Sequence, residues 1–164
     1  MVLSTTQVNV LCNAGTNGSI DLTVSGGSGA YTYNWGAGQP TSQDRTGLTV
    51  GTYTVIVTDG NGCTKTTSVT ITQPLVLAVS TSSTTITCFA GNNGTATASA
   101  SGGTGPYQYQ WSTGAVSPSI SNLTSGGYFV FVKDFNLCET QGQVIVVRNS
   151  DVEISGTVSQ NVCY

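Results

Sequence analysis

The sequence is written twice. Cys12 and Cys88 are 76 residues apart, Trp35 and Trp111 also 76, and Cys63 and Cys138 75. The text repeats with the spacing. Ser25-Gly-Gly-Ser-Gly-Ala-Tyr31-Thr-Tyr33-Asn-Trp35 returns as Ser101-Gly-Gly-Thr-Gly-Pro-Tyr107-Gln-Tyr109-Gln-Trp111. Gly51-Thr-Tyr53-Thr-Val55-Ile-Val57-Thr-Asp59-Gly-Asn61-Gly-Cys63 returns as Gly126-Gly-Tyr128-Phe-Val130-Phe-Val132-Lys-Asp134-Phe-Asn136-Leu-Cys138. Such a period means one structural unit used repeatedly. It predicts units over 1–74 and 75–150. Residues 151–164 align with 76–89 and read as the first strand of a third copy.

Within each copy the apolar residues alternate with polar ones. Ile20, Leu22 and Val24 do so, as do Tyr53, Val55 and Val57. A period of two is that of a strand with one buried face. Gly-rich clusters such as Gly26-Gly27 and Gly60-Asn61-Gly62 separate the runs. Short strands at regular spacing with such turns predict an all-β sandwich of about seven strands per copy, counting weak ones near 41–49 and 116–123. Tyr31, Tyr33 and Trp35 would share one face and join Tyr53 in a core, with Tyr107, Tyr109, Trp111 and Tyr128 doing the same in the second copy.

Only 7% of residues are charged, the net charge is −3 and there is no histidine. Lys65, Lys133, Arg45 and Arg148 are scattered, whereas a phosphate backbone needs clustered cations, so nucleic acid is excluded. No apolar run approaches the roughly 20 residues of a membrane-spanning helix. The first residues lack the basic and apolar regions of a secretory signal. An export signal is therefore expected elsewhere, in a longer parent of which this chain is a piece.

The five cysteines, Cys12, Cys63, Cys88, Cys138 and Cys163, form no C-x-x-C pair. Wide spacing in small β-domains predicts oxidised, extracellular disulfides in place of zinc ligands. Two registers are open. Pairing within copies joins Cys12 to Cys63 and Cys88 to Cys138 and leaves Cys163 unpaired; pairing across the junction joins Cys63 to Cys88 and Cys138 to Cys163. The first is favoured because it makes each copy self-contained, and such a loop would contribute about 4 kcal/mol on the chain-entropy model.

Catalytic apparatus is not evident. Without histidine there is no Ser-His or Cys-His dyad, and the acidic residues kept in both copies reduce to Asp59 and Asp134, one per copy, not a facing pair. No cofactor is expected. Asp59 with Asn61, and Asp134 with Asn136, place two oxygen side chains in a turn as weak candidates for Ca²⁺; against this stands an Asx-turn holding the hairpin. The Tyr-x-Tyr-x-Trp triplets could offer a sugar platform, but recurrence on one face favours the core. The sequons at Asn17, Asn93 and Asn122 are of a kind that arises by chance in a Ser/Thr-rich chain.

Together, Val-x-Cys with its Gly/Asn loop, Ser-Gly-Gly-x-Gly-x-Tyr-x-Tyr-x-Trp, Gly-x-Tyr-x-Val-x-Val-x-Asp-x-Asn-x-Cys and the closing Val69-Thr-Ile71-Thr-Gln-Pro74 resemble the SprB repeat, named for a giant surface adhesin of gliding Bacteroidetes. The third motif is shared with PKD-type immunoglobulin-like domains. Copy two departs at Leu137, where copy one has Gly62, and at Val144-Ile-Val146-Val-Arg-Asn, which replaces the Thr-Gln-Pro close. The resemblance implies tandem immunoglobulin-like (PKD-like) β-sandwiches serving as a stalk in a filamentous cell-surface protein. It also implies export by type IX secretion and a part in adhesion and gliding. The expected partners are neighbouring repeats and possible end-to-end or lateral self-association, with surface polysaccharide as the alternative. In that alternative the module binds carbohydrate, by avidity or as an accessory domain of a secreted enzyme.

Overall fold

In a computed structural model the chain forms two compact units, Met1–Val76 and a second beginning at Leu77. The structure describes residues 1–87 and 91–149, so Cys88, Cys163 and the proposed third-copy strand at 151–164 lie outside the described residues.

The first unit has strands β1 (Val2–Val8), β2 (Gly18–Ser25), β3 (Thr32–Asn34), β4 (Arg45–Leu48), β5 (Gly51–Thr58) and β6 (Thr64–Ile71). They form two antiparallel sheets ordered β1-β2-β4 and β3-β5-β6. The second unit repeats this with β7 (Ala78–Ser83), β8 (Gly94–Ser101), β9 (Gln108–Trp111), β10 (Ser119–Leu123), β11 (Gly126–Lys133) and β12 (Glu139–Val146), in sheets β10-β8-β7 and β12-β11-β9. In each unit, strands one, two and four make one sheet and three, five and six the other. This is the A-B-E and C-F-G partition of an immunoglobulin sandwich without its D strand. The expected count of about seven strands per copy is therefore corrected to six among the described residues. The weak segments 41–49 and 116–123 yield only one short strand each.

Alternation explains the layers. Ile20 and Leu22 of β2 face Val55 and Val57 of β5 in a core that also holds Trp35, Leu48, Val69 and Ile71. In the second unit Ala96, Ala98, Trp111, Val130, Val132 and Val146 share the core. Outward positions of β5 and β6 are joined by hydroxyl pairs, Thr52 with Thr70 at 3.1 Å and Thr54 with Ser68 at 2.8 Å. A nearly uncharged chain covers a sheet surface this way.

Two immunoglobulin features recur in both units. A tryptophan lies at the end of the third strand, its indole N–H donating to a carbonyl at 2.9 Å: Trp35 to Ser42, and Trp111 to Ser117. A tyrosine near the start of the fifth strand donates back across the corner at 3.0 Å, Tyr53 to the Thr49 carbonyl and Tyr128 to that of Thr124. Two residues after each tyrosine, where antibody domains place a cysteine, stand the buried Val55 and Val130. The inter-sheet disulfide of antibody domains is replaced there by apolar packing.

The strand directions give each unit two poles. At the entry pole lie Met1, Ser25–Ser28 and the β5–β6 turn: Val2 pairs with Ser25, and Gly60 N–H donates to Ser28. At the exit pole lie the β1–β2 loop and the end of β6: Val10 N–H donates to Thr72, and Ala14 N–H to the Gln73 side chain. The same arrangement holds in the second unit. There Ala78 pairs with Ser101, and the last strand ends where Ile86 bridges Arg148 in parallel.

Candidate functional site

The motif residues converge on the entry pole. Asp59 follows β5, and its carboxylate is surrounded by backbone donors. Oδ1 accepts from Asn61 N–H and Cys63 N–H, both at 3.0 Å, and Oδ2 accepts from Ser28 N–H at 3.2 Å. Asp134 repeats this with Asn136 and Cys138 at 2.9 Å and Thr104 at 2.8 Å. One carboxylate thus closes its own turn and ties that turn to the β2–β3 loop. Three N–H dipoles point into the space a cation would occupy, whereas Ca²⁺ needs six to eight oxygen ligands. The geometry at Asp59, Asn61, Asp134 and Asn136 is that of the Asx-turn.

The Ser-Gly-Gly motif follows from the same carboxylate. A Cβ on Gly27 would stand 2.9 Å from Asp59 Oδ2, and one on Gly103 2.6 Å from Asp134 Oδ2, at φ of 86° and 57°. Only glycine allows both that backbone and that approach. The preceding glycine is capped by the first tyrosine of Tyr-x-Tyr-x-Trp: Tyr31 Oη donates to Gly26 at 2.7 Å and Tyr107 Oη to Gly102 at 2.6 Å. The second tyrosines are engaged as well, Tyr33 donating to Gln43 Oε1 at 2.8 Å and Tyr109 accepting from Ala100 N–H at 3.3 Å. Among the expected core aromatics, Trp35 and Trp111 are buried. Tyr31, Tyr33, Tyr53, Tyr107, Tyr109 and Tyr128 are half-buried at its rim with their hydroxyls hydrogen-bonded. The tryptophans are committed to the core and the tyrosine hydroxyls to these hydrogen bonds, while Tyr107 and Tyr109 also line a surface groove of the second unit.

Leu137 keeps the turn that Gly62 makes. Its φ is 64° against 82° for Gly62, a conformation costing a non-glycine residue about 1–2 kcal/mol.

The Asp59 carboxyl is held below the ordinary carboxylate range, first by the Ser28 N–H, then by those of Cys63 and Asn61, with the N-terminal charge adding to them against the opposing effect of desolvation. A depressed folded value stabilises the fold above the unfolded pKa of about 3.9, and this is lost as pH falls through the folded value. Acid unfolding of the first unit is therefore expected below about pH 4. In Asp59→Asn that acid-dependent component should shrink, as read by circular dichroism from pH 6 to pH 2.

The cysteines correct the expected pairing. Cys12 is disulfide-bonded, whereas Cys63 is an exposed free thiol, so the Cys12–Cys63 bond is not made. The reason is topological. Cys12 sits in the exit-pole loop and Cys63 in the entry-pole turn, separated by the length of β5, about 25 Å for eight residues. A disulfide requires Cα atoms about 4.4–6.8 Å apart. The alternative Cys63–Cys88 pairing also fails, because Cys63 is free. Cys138 is disulfide-bonded, while Cys88 and Cys163 lie outside the described residues. Spacing alone could not reveal the poles, because strand direction within the sandwich sets them.

The SprB repeat family matches residues 4–40 and 80–116, in the same register of both copies. Two segments of the chain, one in each unit, match the SprB repeat. The matched segments run from the first strand of each unit past its tryptophan, and the following strands complete the same sandwich twice. No curated protein matches the chain. Among solved structures, the chain is similar to the amphioxus IgVJ-C2 molecule at 14% identity and TM-score 0.39, covering 82% of this chain and 98% of that one. It is also similar to murine CEACAM1b at 12% and 0.37, covering 90% and 100%. A third similarity is to domains 1–6 of the surface layer protein SbsC at 19% and 0.36, covering 93% of this chain and 28% of that one.

One feature of the second unit is not repeated in the first. Phe129 and Phe131 are exposed on the outer face of β11. A groove of about 350 Å³ beside them is lined by Tyr107, Gln108, Tyr109, Gln110, Val116, Phe131 and Lys133. The corresponding residues of the first repeat include Thr32, Asn34 and Ile56. Among the described residues no helix is long and apolar enough to cross a membrane.

Proposed function

We propose that the two SprB repeats are stalk modules of a secreted, filamentous surface adhesin used in adhesion and gliding, located on the outside of a bacterial cell. The observation that carries this reading is the polarity of each unit: the chain enters at one pole and leaves at the other. Copies joined in this way extend a filament by one module length each, so reach scales with copy number. The contact between the segments that follow the first and last strands, a parallel bridge in the second unit, supports a mechanical role. Ile86 N–H donates to Val147 O at 2.9 Å and Asn149 N–H to Ile86 O at 2.9 Å, and Val10 N–H donates to Thr72 O at 3.0 Å. Tension along the chain loads these bonds in shear, and forced unfolding is governed by the unfolding rate. The partners in this reading are neighbouring repeats of the same parent.

A carbohydrate-binding module is favoured by one observation, the groove lined by Tyr107, Tyr109, Gln108, Gln110 and Phe131. Avidity from an array needs the site in every copy, and Ile56 stands where Phe131 would be required. The two readings separate in one experiment on chains of two, four and six copies. The stalk reading expects the maximum dimension from small-angle X-ray scattering to rise linearly with copy number and a glycan array to stay blank. Glycan binding that strengthens with copy number would sink it.

A further inference from the structure

Cys63 is an exposed free thiol at the entry pole of the first unit. Its backbone is held from both sides: its N–H donates to Asp59 Oδ1 at 3.0 Å and its carbonyl accepts from Asp59 N–H at 3.0 Å. Cys138 occupies the same turn of the second unit, its N–H donating to Asp134 Oδ1 at 2.9 Å and its carbonyl accepting from Asp134 N–H at 3.0 Å. Cys138 is disulfide-bonded. Two turns with the same carboxylate hydrogen bonds thus differ at sulfur: one has a partner and the other does not. The turn itself is competent to hold a disulfide.

The missing partner cannot come from the same unit. Its other cysteine, Cys12, is already disulfide-bonded and lies at the opposite pole, about 25 Å away along β5. The first unit therefore offers Cys63 at the pole where the chain enters and Cys12 beside the point where it leaves. In the end-to-end reading, the exit-pole loop cysteine of one copy and the entry-pole turn cysteine of the next would face the same junction.

We propose that Cys63 takes the β1–β2-loop cysteine of another copy of the module, the copy placed ahead of it in a longer array. The disulfides of these repeats then link copies in series and do not close each copy on itself. A small-molecule disulfide such as oxidised glutathione is the oxidant. A bond forms between the two protein sulfurs, the glutathione S–S bond breaks, and two glutathione thiols leave with the two protons and two electrons. This inference rests on the end-to-end reading of the modules. The scattering experiment tests the series and a thiol map tests the staple, so either can fail alone.

The test lengthens the full 164-residue chain by one copy, residues 75–150, placed ahead of Met1, and refolds it in a glutathione redox buffer. Cys63 is then alkylated under denaturing, non-reducing conditions. The alkylated fraction is expected to fall at least tenfold relative to the unlengthened chain. Peptide mapping should link Cys63 to the loop cysteine of the added copy, and Cys63→Ser should return that loop cysteine to the alkylated pool. A second lengthened chain, carrying residues 1–74 ahead of Met1, repeats the test with the other module, and an additional melting transition shows that the added copy has folded. Full alkylation of Cys63 in the folded lengthened chains, or its linkage to any other cysteine, overturns the proposal.

Discussion

Asp134→Ala is expected to destabilise the second unit by about 4 kcal/mol and leave the first unit's transition in place. The carboxylate is 1% exposed and accepts the N–H groups of Thr104, Asn136 and Cys138. Truncation strands these three part-buried donors beside a buried site, and each such loss costs about 1–3 kcal/mol, toward the lower end where water reaches the donor. A core of this size supplies only about 3–5 kcal/mol of net stability, so the second unit should be largely unfolded at 25 °C. Urea denaturation, with Trp35 and Trp111 each reporting on its own unit, reads the two transitions separately. Asp134→Asn divides the effect. Its amide oxygen still accepts from Asn136 and Cys138, but its NH₂ opposes the Thr104 donor, so about half of the loss should remain. An Asp134→Ala protein that melts like the parent would remove the carboxylate from the centre of this account.

Trp111→Ala is the second large effect, again about 4 kcal/mol and again confined to the second unit. Trp111 is 2% exposed and its indole donates to Ser117. The β8 side of that core is built from Ala96 and Ala98, where the first unit has Ile20 and Leu22. Short side chains cannot move in to refill a tryptophan-sized hole, which places the cost toward the upper end of the range for such truncations. Differential scanning calorimetry should show the upper or lower of two transitions abolished and the other unmoved. A loss below about 1 kcal/mol would mean that the core collapses around the gap.

Both predictions concern residues that stood out in the sequence, but for different reasons. Trp111 was legible as core because it recurs at Trp35 and shares its parity with Tyr107 and Tyr109. The tyrosines were only half legible. Parity puts them on the core face, yet it does not show that the phenol reaches the rim, where Tyr31 caps Gly26 and Tyr53 turns the corner to Thr49. Asp59 and Asp134 were legible as turn residues, with Asn61 and Asn136 at the right spacing for an Asx-turn. Their reach to Ser28 and Thr104 was not. That contact joins loops roughly 30 residues apart in sequence, and it gives Gly27 and Gly103 their reason.

The disulfides mark the boundary most sharply. By itself the sequence determined the repeat, its period, the alternation that makes a sandwich, and the placing of one cysteine before the second strand and one after the fifth. Those are local properties of order and spacing, carried by the pleat of a strand and the chemistry of its turns. Which cysteines can meet was decided only in the tertiary structure. Strand direction sends Cys12 to the pole where the chain leaves and Cys63 to the pole where it enters, and an eight-residue strand is too long for any disulfide to span.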